Sequence, residues 1–188
     1  MIGWYKYLPV ANCGRENRAL RDWLNESGSL TARLKTIGAF RVQVLRQYLQ
    51  HANADECVAL GVSARTPCWV REVVLFCDDR PVIFAHTVLA AKPRGVLGRW
   101  FARLGNRSLG SLLFAHPGFR RGSLSFARID ARHPLHALAL VALDLQANAG
   151  FLSRRCAHRF RAQAVLVTEV FSPVLGEPQY RARSENNR

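Results

Sequence analysis

Two ionisable residues stand inside runs that otherwise read as apolar β-strand. Arg71 lies in Cys68-Trp69-Val70-Arg71-Glu72-Val73-Val74-Leu75-Phe76, and Glu169 in Ala164-Val165-Leu166-Val167-Thr168-Glu169-Val170-Phe171. Side chains alternate across a strand, so Arg71 shares a face with Val73 and Leu75, and Glu169 with Val165, Val167 and Phe171. A charge on a core-facing stripe is costly unless it meets a partner or a ligand. Three readings stay open: the two residues pair with each other, one strand turns its charge to solvent, or both frame a ligand site. In the third reading the guanidinium forks onto a carboxylate. The glutamate then accepts from, or protonates, an oxygen at the far end of the ligand, a task to which burial would suit it. That chemistry fits a small, rigid, anionic molecule bearing a hydroxyl or ether oxygen.

The elements that must position these groups are legible from periodicity. Leu20, Trp23 and Leu24 give an apolar stripe to a helix from about Glu16 to Leu24. After a turn at Asn25–Gly28, Ser29 caps a second helix through Leu30, Leu34 and Ile37, closed by Gly38. Phe40–Leu45 reads as a strand. Val70–Phe76 and Pro81–Leu89 flank the polar turn Cys77-Asp78-Asp79-Arg80 and predict a hairpin. Leu97, Trp100, Phe101 and Leu104 follow helical spacing over Gly95–Leu104. Ser123–Asp130 reads as a strand, Pro134–Ala147 as a helix, and Arg155–Ala162 as a strand leading into the Glu169 strand. Gly176 to Arg188 reads as a frayed basic tail of the same domain. Strands clustered in the middle and end, with helices between, indicate a single α+β domain, residues 1–188, built on an antiparallel sheet.

Composition narrows the alternatives. With 188 residues, 49% hydrophobic and 21% charged, the chain has the material for one sizeable core. Its 27 basic and 13 acidic residues leave a net charge of +14, which attracts anions of any kind. Arg120-Arg121, Arg154-Arg155 and Arg159/Arg161 are read as solvated turn and outward strand positions, since no nucleic-acid-binding motif accompanies them. Five cysteines without a CxxC pair fit reduced thiols in a cytoplasmic protein. His133, His136 and the Cys156-x-His158 pair lack a third local ligand and read as structural rather than metal-binding. Residues 1–10 contain no apolar signal core, and the most apolar stretch, Leu135–Leu145, is too short to span a bilayer. No GxGxxG, P-loop or GxSxG motif occurs.

Five segments in order resemble the chorismate lyase (chorismate–pyruvate lyase) family. They are Asp22-Trp23-Leu24 with Gly28–Leu34, Cys68–Leu75 around Arg71, Leu104–Phe114, Gly150–Arg155, and Leu166–Pro173 around Glu169. The resemblance implies an antiparallel sheet with an internal ligand pocket under helical flaps. It further implies conversion of chorismate to 4-hydroxybenzoate and pyruvate, at the entry to ubiquinone synthesis, by a monomer needing no cofactor. By position, Arg71 would hold the ring carboxylate and Glu169 would meet the oxygen at the para end. Leu30 and Leu109 would line the flaps and offer backbone N–H groups, although core packing alone would also explain two leucines. The chain departs from the family where His86 and Ser111 replace common arginines, and where 131–146 reads as an insertion. His86, once protonated, is one candidate to contact the enolpyruvyl carboxylate. A non-catalytic effector-type domain that binds small carboxylates is the alternative, and a basic nucleic-acid-binding protein a more distant one.

Overall fold

The computed structural model describes residues 3–8, 17–91, 96–105, 107–110, 113, 118–147 and 150–180. Helices α1 (Asn17–Leu24) and α2 (Leu30–Ile37) precede β1 (Phe40–His51), and α3 (Ala54–Leu60) follows it. The hairpin β2 (Pro67–Cys77) and β3 (Arg80–Ala90) leads to α4 (Val96–Ala102). Strands β4 (Phe119–Arg121) and β5 (Ser125–Ile129), helix α5 (Pro134–Ala142), and strands β6 (Phe151–Phe160) and β7 (Gln163–Phe171) complete the set. Seven strands form one antiparallel sheet in the order β1-β2-β3-β7-β6-β4, with β5 also paired to β6. The expected α+β class is observed, with helices on both faces of the sheet.

Local chemistry explains most boundaries. The Ser29 hydroxyl accepts from Ala32 N–H at 3.2 Å and starts α2. Gly38 ends it for a reason other than a left-handed cap: its backbone is extended, and an added Cβ would lie 2.6 Å from the Asp78 carboxylate. That carboxylate accepts from Ala39 N–H at 2.8 Å, so the close approach ties α2 to the β2–β3 turn. The turn itself is tighter than its sequence suggests. Asp78 and Asp79 take φ of 49° and 61°, the left-handed pair of a two-residue hairpin connection.

Each sheet face has its own cover. On one face α1 and α2 bury Trp23, Leu24, Leu30 and Leu34 against Val73, Leu75, Ala85 and Phe171. Trp23 is 1% exposed, and its ring carries the Arg33 guanidinium at 3.9 Å. At the other end of this face α4 packs Leu97 and Phe101 on Leu89, Val165 and Phe160. The opposite face is covered by α3, against Val70, Val88 and Leu166, and by α5, against Phe84 and Val170. Segment 131–146 therefore adds a helix to the back of the sheet. Within it His133 caps α5, its Nδ1 accepting from Leu135 N–H at 3.1 Å, and His136 packs on Phe151. Gly176–Tyr180 is not frayed as expected: Tyr180 is 3% exposed and Glu177 pairs with Arg80 at 2.6 Å. Residues 181–188 of the expected tail lie outside the described residues.

The back face also holds His86, which corrects the sequence reading of that residue. Thr87 and Ala85 line the front of β3, so His86 between them points away from any ligand there. Its Nδ1 lies 3.0 Å from Glu72 Oε1, and its Nε2 lies 3.1 Å from Glu56 Oε1. Arg46 closes on the other side of Glu72. Burial works against a charge on His86, but the two carboxylates outweigh it and lift the pKa from 6.5 to about 9. A raised pKa stabilises the fold fully below the unfolded value and loses that stabilisation as pH climbs through the folded value. Denaturant titrations are therefore expected to show about 3 kcal/mol less stability near pH 9.5 than near pH 6. The loss should be largely absent in His86→Gln, and an equal loss in that variant would refute the assignment.

Candidate active site

Alternation along four strands converges on one cavity beneath the helices of the front face. Arg71, Val73 and Leu75 enter it from β2, Ala85 and Thr87 from β3, Val167 and Glu169 from β7, and Arg154, Cys156 and His158 from β6. The cavity gives the centre of a water-sized sphere about 60 Å³ in which to move. One water needs roughly 10–15 Å³ on that measure. Leu30 and Thr31 on α2 close one side, and Ser108, Leu109, Gly110 and Leu113 close another. Leu30 is the first residue of α2, so its N–H is among those with no acceptor inside the helix.

Arg71 is 3% exposed and does not touch Glu169. It donates through Nη1 to Gln47 Oε1 at 3.0 Å, and through Nη2 to the carbonyls of Gly105 at 2.6 Å and Arg107 at 3.2 Å. Burial pulls its pKa down, yet a guanidinium keeps its proton. Arg71 thus carries a cation into the cavity wall and at the same time ties the segment after α4 to the sheet. Its neighbour across β3 is Thr87, and the next along that row is Val167. Glu169 lies two residues further along β7, opposite Ala85. Two strand steps and two residues separate the backbones of Arg71 and Glu169 by about 12 Å, leaving space between side-chain ends for one small ring.

The partner of Glu169 is Arg154. They face each other across β6 and β7, with Arg154 Nε 2.6 Å from Glu169 Oε2. The expectation that Arg154-Arg155 forms a solvated basic patch is overturned. Adjacent residues on a strand point to opposite faces, so Arg154, 2% exposed, enters the cavity while Arg155 goes to the back. Arg155 there meets Asp55 at 2.6 Å and lies over the Trp4 ring. Arg154 also donates to the Leu24 carbonyl at 3.1 Å and the Glu26 carbonyl at 2.7 Å, and so holds the turn before α2. Two arginines rooted in the sheet therefore each hold one cover of the cavity by backbone oxygens. Since Glu169 carries an ionic partner, its geometry suits a fixed hydrogen-bond acceptor better than an isolated buried acid.

Sequence reasoning missed three contributors. Arg121 lies on β4 opposite His158, lines the cavity, and donates to the Ser27 carbonyl. Burial, together with the nearby charges of Arg121 and Arg154, pushes His158 from 6.5 down to about 4, leaving it neutral near pH 7. Burial likewise raises the Cys156 thiol, despite a hydrogen bond from Arg121. The alternation of Cys156, His158 and Phe160 was visible in the sequence; that this face pointed into a cavity was not. Ser111 lies outside the described residues. Among the described residues, no helix is long and apolar enough to cross a membrane.

Proteins of similar sequence and of similar fold are known. Residues 8–179 match the family model described as chorismate lyase. A Dechloromonas aromatica protein named "Probable chorismate pyruvate-lyase" is 53% identical over 157 residues, covering 83% of this chain and 88% of its own. A Cupriavidus metallidurans protein of the same name is 43% identical over 176 residues, covering 92% of this chain and 80% of its own. Among solved structures, the C-terminal domain of a histidine utilization repressor from Pseudomonas syringae superposes with a TM-score of 0.54 at 15% identity. That likeness covers 71% of this chain and 91% of the repressor domain. The effector domain of PhnF from Mycobacterium smegmatis gives 0.52 at 17% identity, covering 77% and 88%. At such identities the two structures speak only for the fold, whereas the family match spans nearly the whole sequence, and the chain belongs to the chorismate lyase family of enzymes.

Proposed function

We propose that this protein eliminates pyruvate from chorismate to leave 4-hydroxybenzoate, the first step committed to ubiquinone. The observation that carries the reading is the placement of Arg71 and Glu169 on opposite sides of one small cavity, each held by other groups and not by each other. Arg71 meets the ring carboxylate, helped by the backbone N–H groups of Leu30 and Leu109 where the two covers meet. Glu169 accepts from the hydroxyl on the opposite ring carbon. Val73, Leu75 and Ala85 supply an apolar wall for the ring face.

In this reaction the ether bond between ring C3 and the enolpyruvyl oxygen breaks. Hydrogen leaves C4, the enolpyruvyl methylene gains one, and the side chain departs as the keto acid. Atoms balance without oxidant or co-reactant, and aromatisation provides the driving force. What the protein supplies is position: a substrate held at its carboxylate and its hydroxyl has fewer unproductive orientations to escape from. The covers tied down by Arg71 and Arg154 exclude water while it reacts.

Purified protein mixed with chorismate should yield equimolar 4-hydroxybenzoate and pyruvate, read by absorbance and by coupled reduction of the keto acid. A protein that binds 4-hydroxybenzoate but leaves chorismate intact would be a ligand-sensing domain, and the lyase reading would fall.

A further inference from the structure

The reading above leaves one charge of the substrate without a partner. Chorismate has two carboxylates, one on the ring and one on the enolpyruvyl group at C3, next to the carbon whose hydroxyl faces Glu169. The cavity is asymmetric around Glu169. Toward β3 and β2 lie Ala85, Val73 and Leu75, all apolar. Toward β6 and β4 lie Cys156, His158 and Arg121. Across the sheet the ionisable groups therefore run cation, carboxylate, cations: Arg71 on β2, Glu169 on β7, Arg154 on β6 and Arg121 on β4.

Resting on the lyase reading, we infer that Arg121, with His158 beside it, forms the subsite for the second carboxylate of the substrate. Three lines support it. The described lining holds three guanidinium groups, Arg71, Arg121 and Arg154, against the single carboxylate of Glu169, an excess of two positive charges that a dicarboxylate would neutralise. Arg154 is paired with Glu169 and donates to the Leu24 and Glu26 carbonyls, and Arg121 is the second guanidinium lining that end of the cavity. Arg121 is paired in register with His158 and Glu169 with Arg154, and Cys156 stands between His158 and Arg154 on the cavity face of β6, so Arg121 lines the same end of the cavity as Glu169. His86, one candidate from the sequence for contacting this carboxylate, is locked on the far face of the sheet by Glu56 and Glu72. His158, neutral and opposite Arg121, is placed to give that carboxylate a hydrogen bond.

Discrimination between two ligands tests this. Chorismate carries the second carboxylate and 4-hydroxybenzoate does not. Arg121→Gln should raise KM for chorismate about 10–100-fold, the cost of one charge-assisted hydrogen bond, with the 4-hydroxybenzoate Kd within twofold of wild type. Arg121→Lys should recover part of the loss for chorismate alone. Equal weakening of both ligands would mean that Arg121 acts only by holding Ser27 and the cover, and an unchanged KM would remove it from the site; either result overturns the inference. A wild-type measurement needs no variant to fold. A 4-hydroxybenzoate bearing an ether-linked carboxylate at C3 should inhibit at least tenfold better than its primary amide, and equal inhibition would count against the subsite. Wild-type protein that turned over no chorismate would instead defeat the lyase reading itself.

Discussion

Arg71→Ala is expected to weaken chorismate and 4-hydroxybenzoate alike, each by about 10²–10³-fold. The estimate follows from truncating one partner of a buried, charge-assisted hydrogen-bonded pair, which costs roughly 2–5 kcal/mol. The guanidinium has a second task, since it holds Gln47 and the carbonyls of Gly105 and Arg107. Removing it would orphan those acceptors, so a stability loss is expected alongside the binding loss. Arg71→Lys separates the two effects. Lysine keeps the charge and can satisfy one or two carbonyls, but it cannot present a planar fork to a carboxylate. The lysine variant should melt closer to wild type than the alanine variant, yet still bind 4-hydroxybenzoate at least tenfold more weakly. Calorimetric titration with 4-hydroxybenzoate reads binding without turnover, and wild-type affinity in Arg71→Lys would show that Arg71 only braces the fold.

Much of this site could be read from the chain because β alternation is a local property. A strand that places Val73 and Leu75 inward must also place Arg71 inward, and the same holds for Glu169 beside Val167 and Phe171. The same logic puts Glu72 and His86 on the opposite face, but their partner Glu56 comes from α3, and nothing local announces that contact. Helix α3 did carry a signal that went unread: Asn53 and Glu56 form a reciprocal capping box, with Glu56 N–H to Asn53 Oδ1 and Asn53 N–H to Glu56 Oε2 both at 3.0 Å. Arg154 was misassigned because two consecutive arginines look like a surface patch until the strand is known to begin at Phe151. Arg121 was hidden for another reason. A three-residue strand has too few positions to show a period, and its inward direction is set by pairing with residues of β6 that lie 37 to 41 positions away in sequence.

Glu169→Ala should lower kcat by about 10–100-fold with a smaller change in KM, the expected cost of losing a hydrogen bond to a charged acceptor at the reacting end of the ring. The ion pair with Arg154 at 2.6 Å determines how the variants should rank. Taking the carboxylate away leaves a buried guanidinium short of a partner, a defect worth several kcal/mol in other buried pairs, so the alanine variant should also melt lower. Glu169→Gln restores an acceptor to Arg154 and can still orient the substrate hydroxyl, but it cannot exchange a proton at neutral pH. If Glu169 works by orientation, as its ion-paired geometry supports, the glutamine variant retains roughly a tenth or more of wild-type kcat and the alanine variant falls below it. If it instead transfers a proton in the rate-determining step, glutamine and alanine are equally inactive, because neither side chain can carry that proton. Steady-state kinetics for both variants, with thermal melts to set aside any unfolded fraction, separates these outcomes, and undiminished kcat in Glu169→Ala would remove this carboxylate from the chemistry altogether.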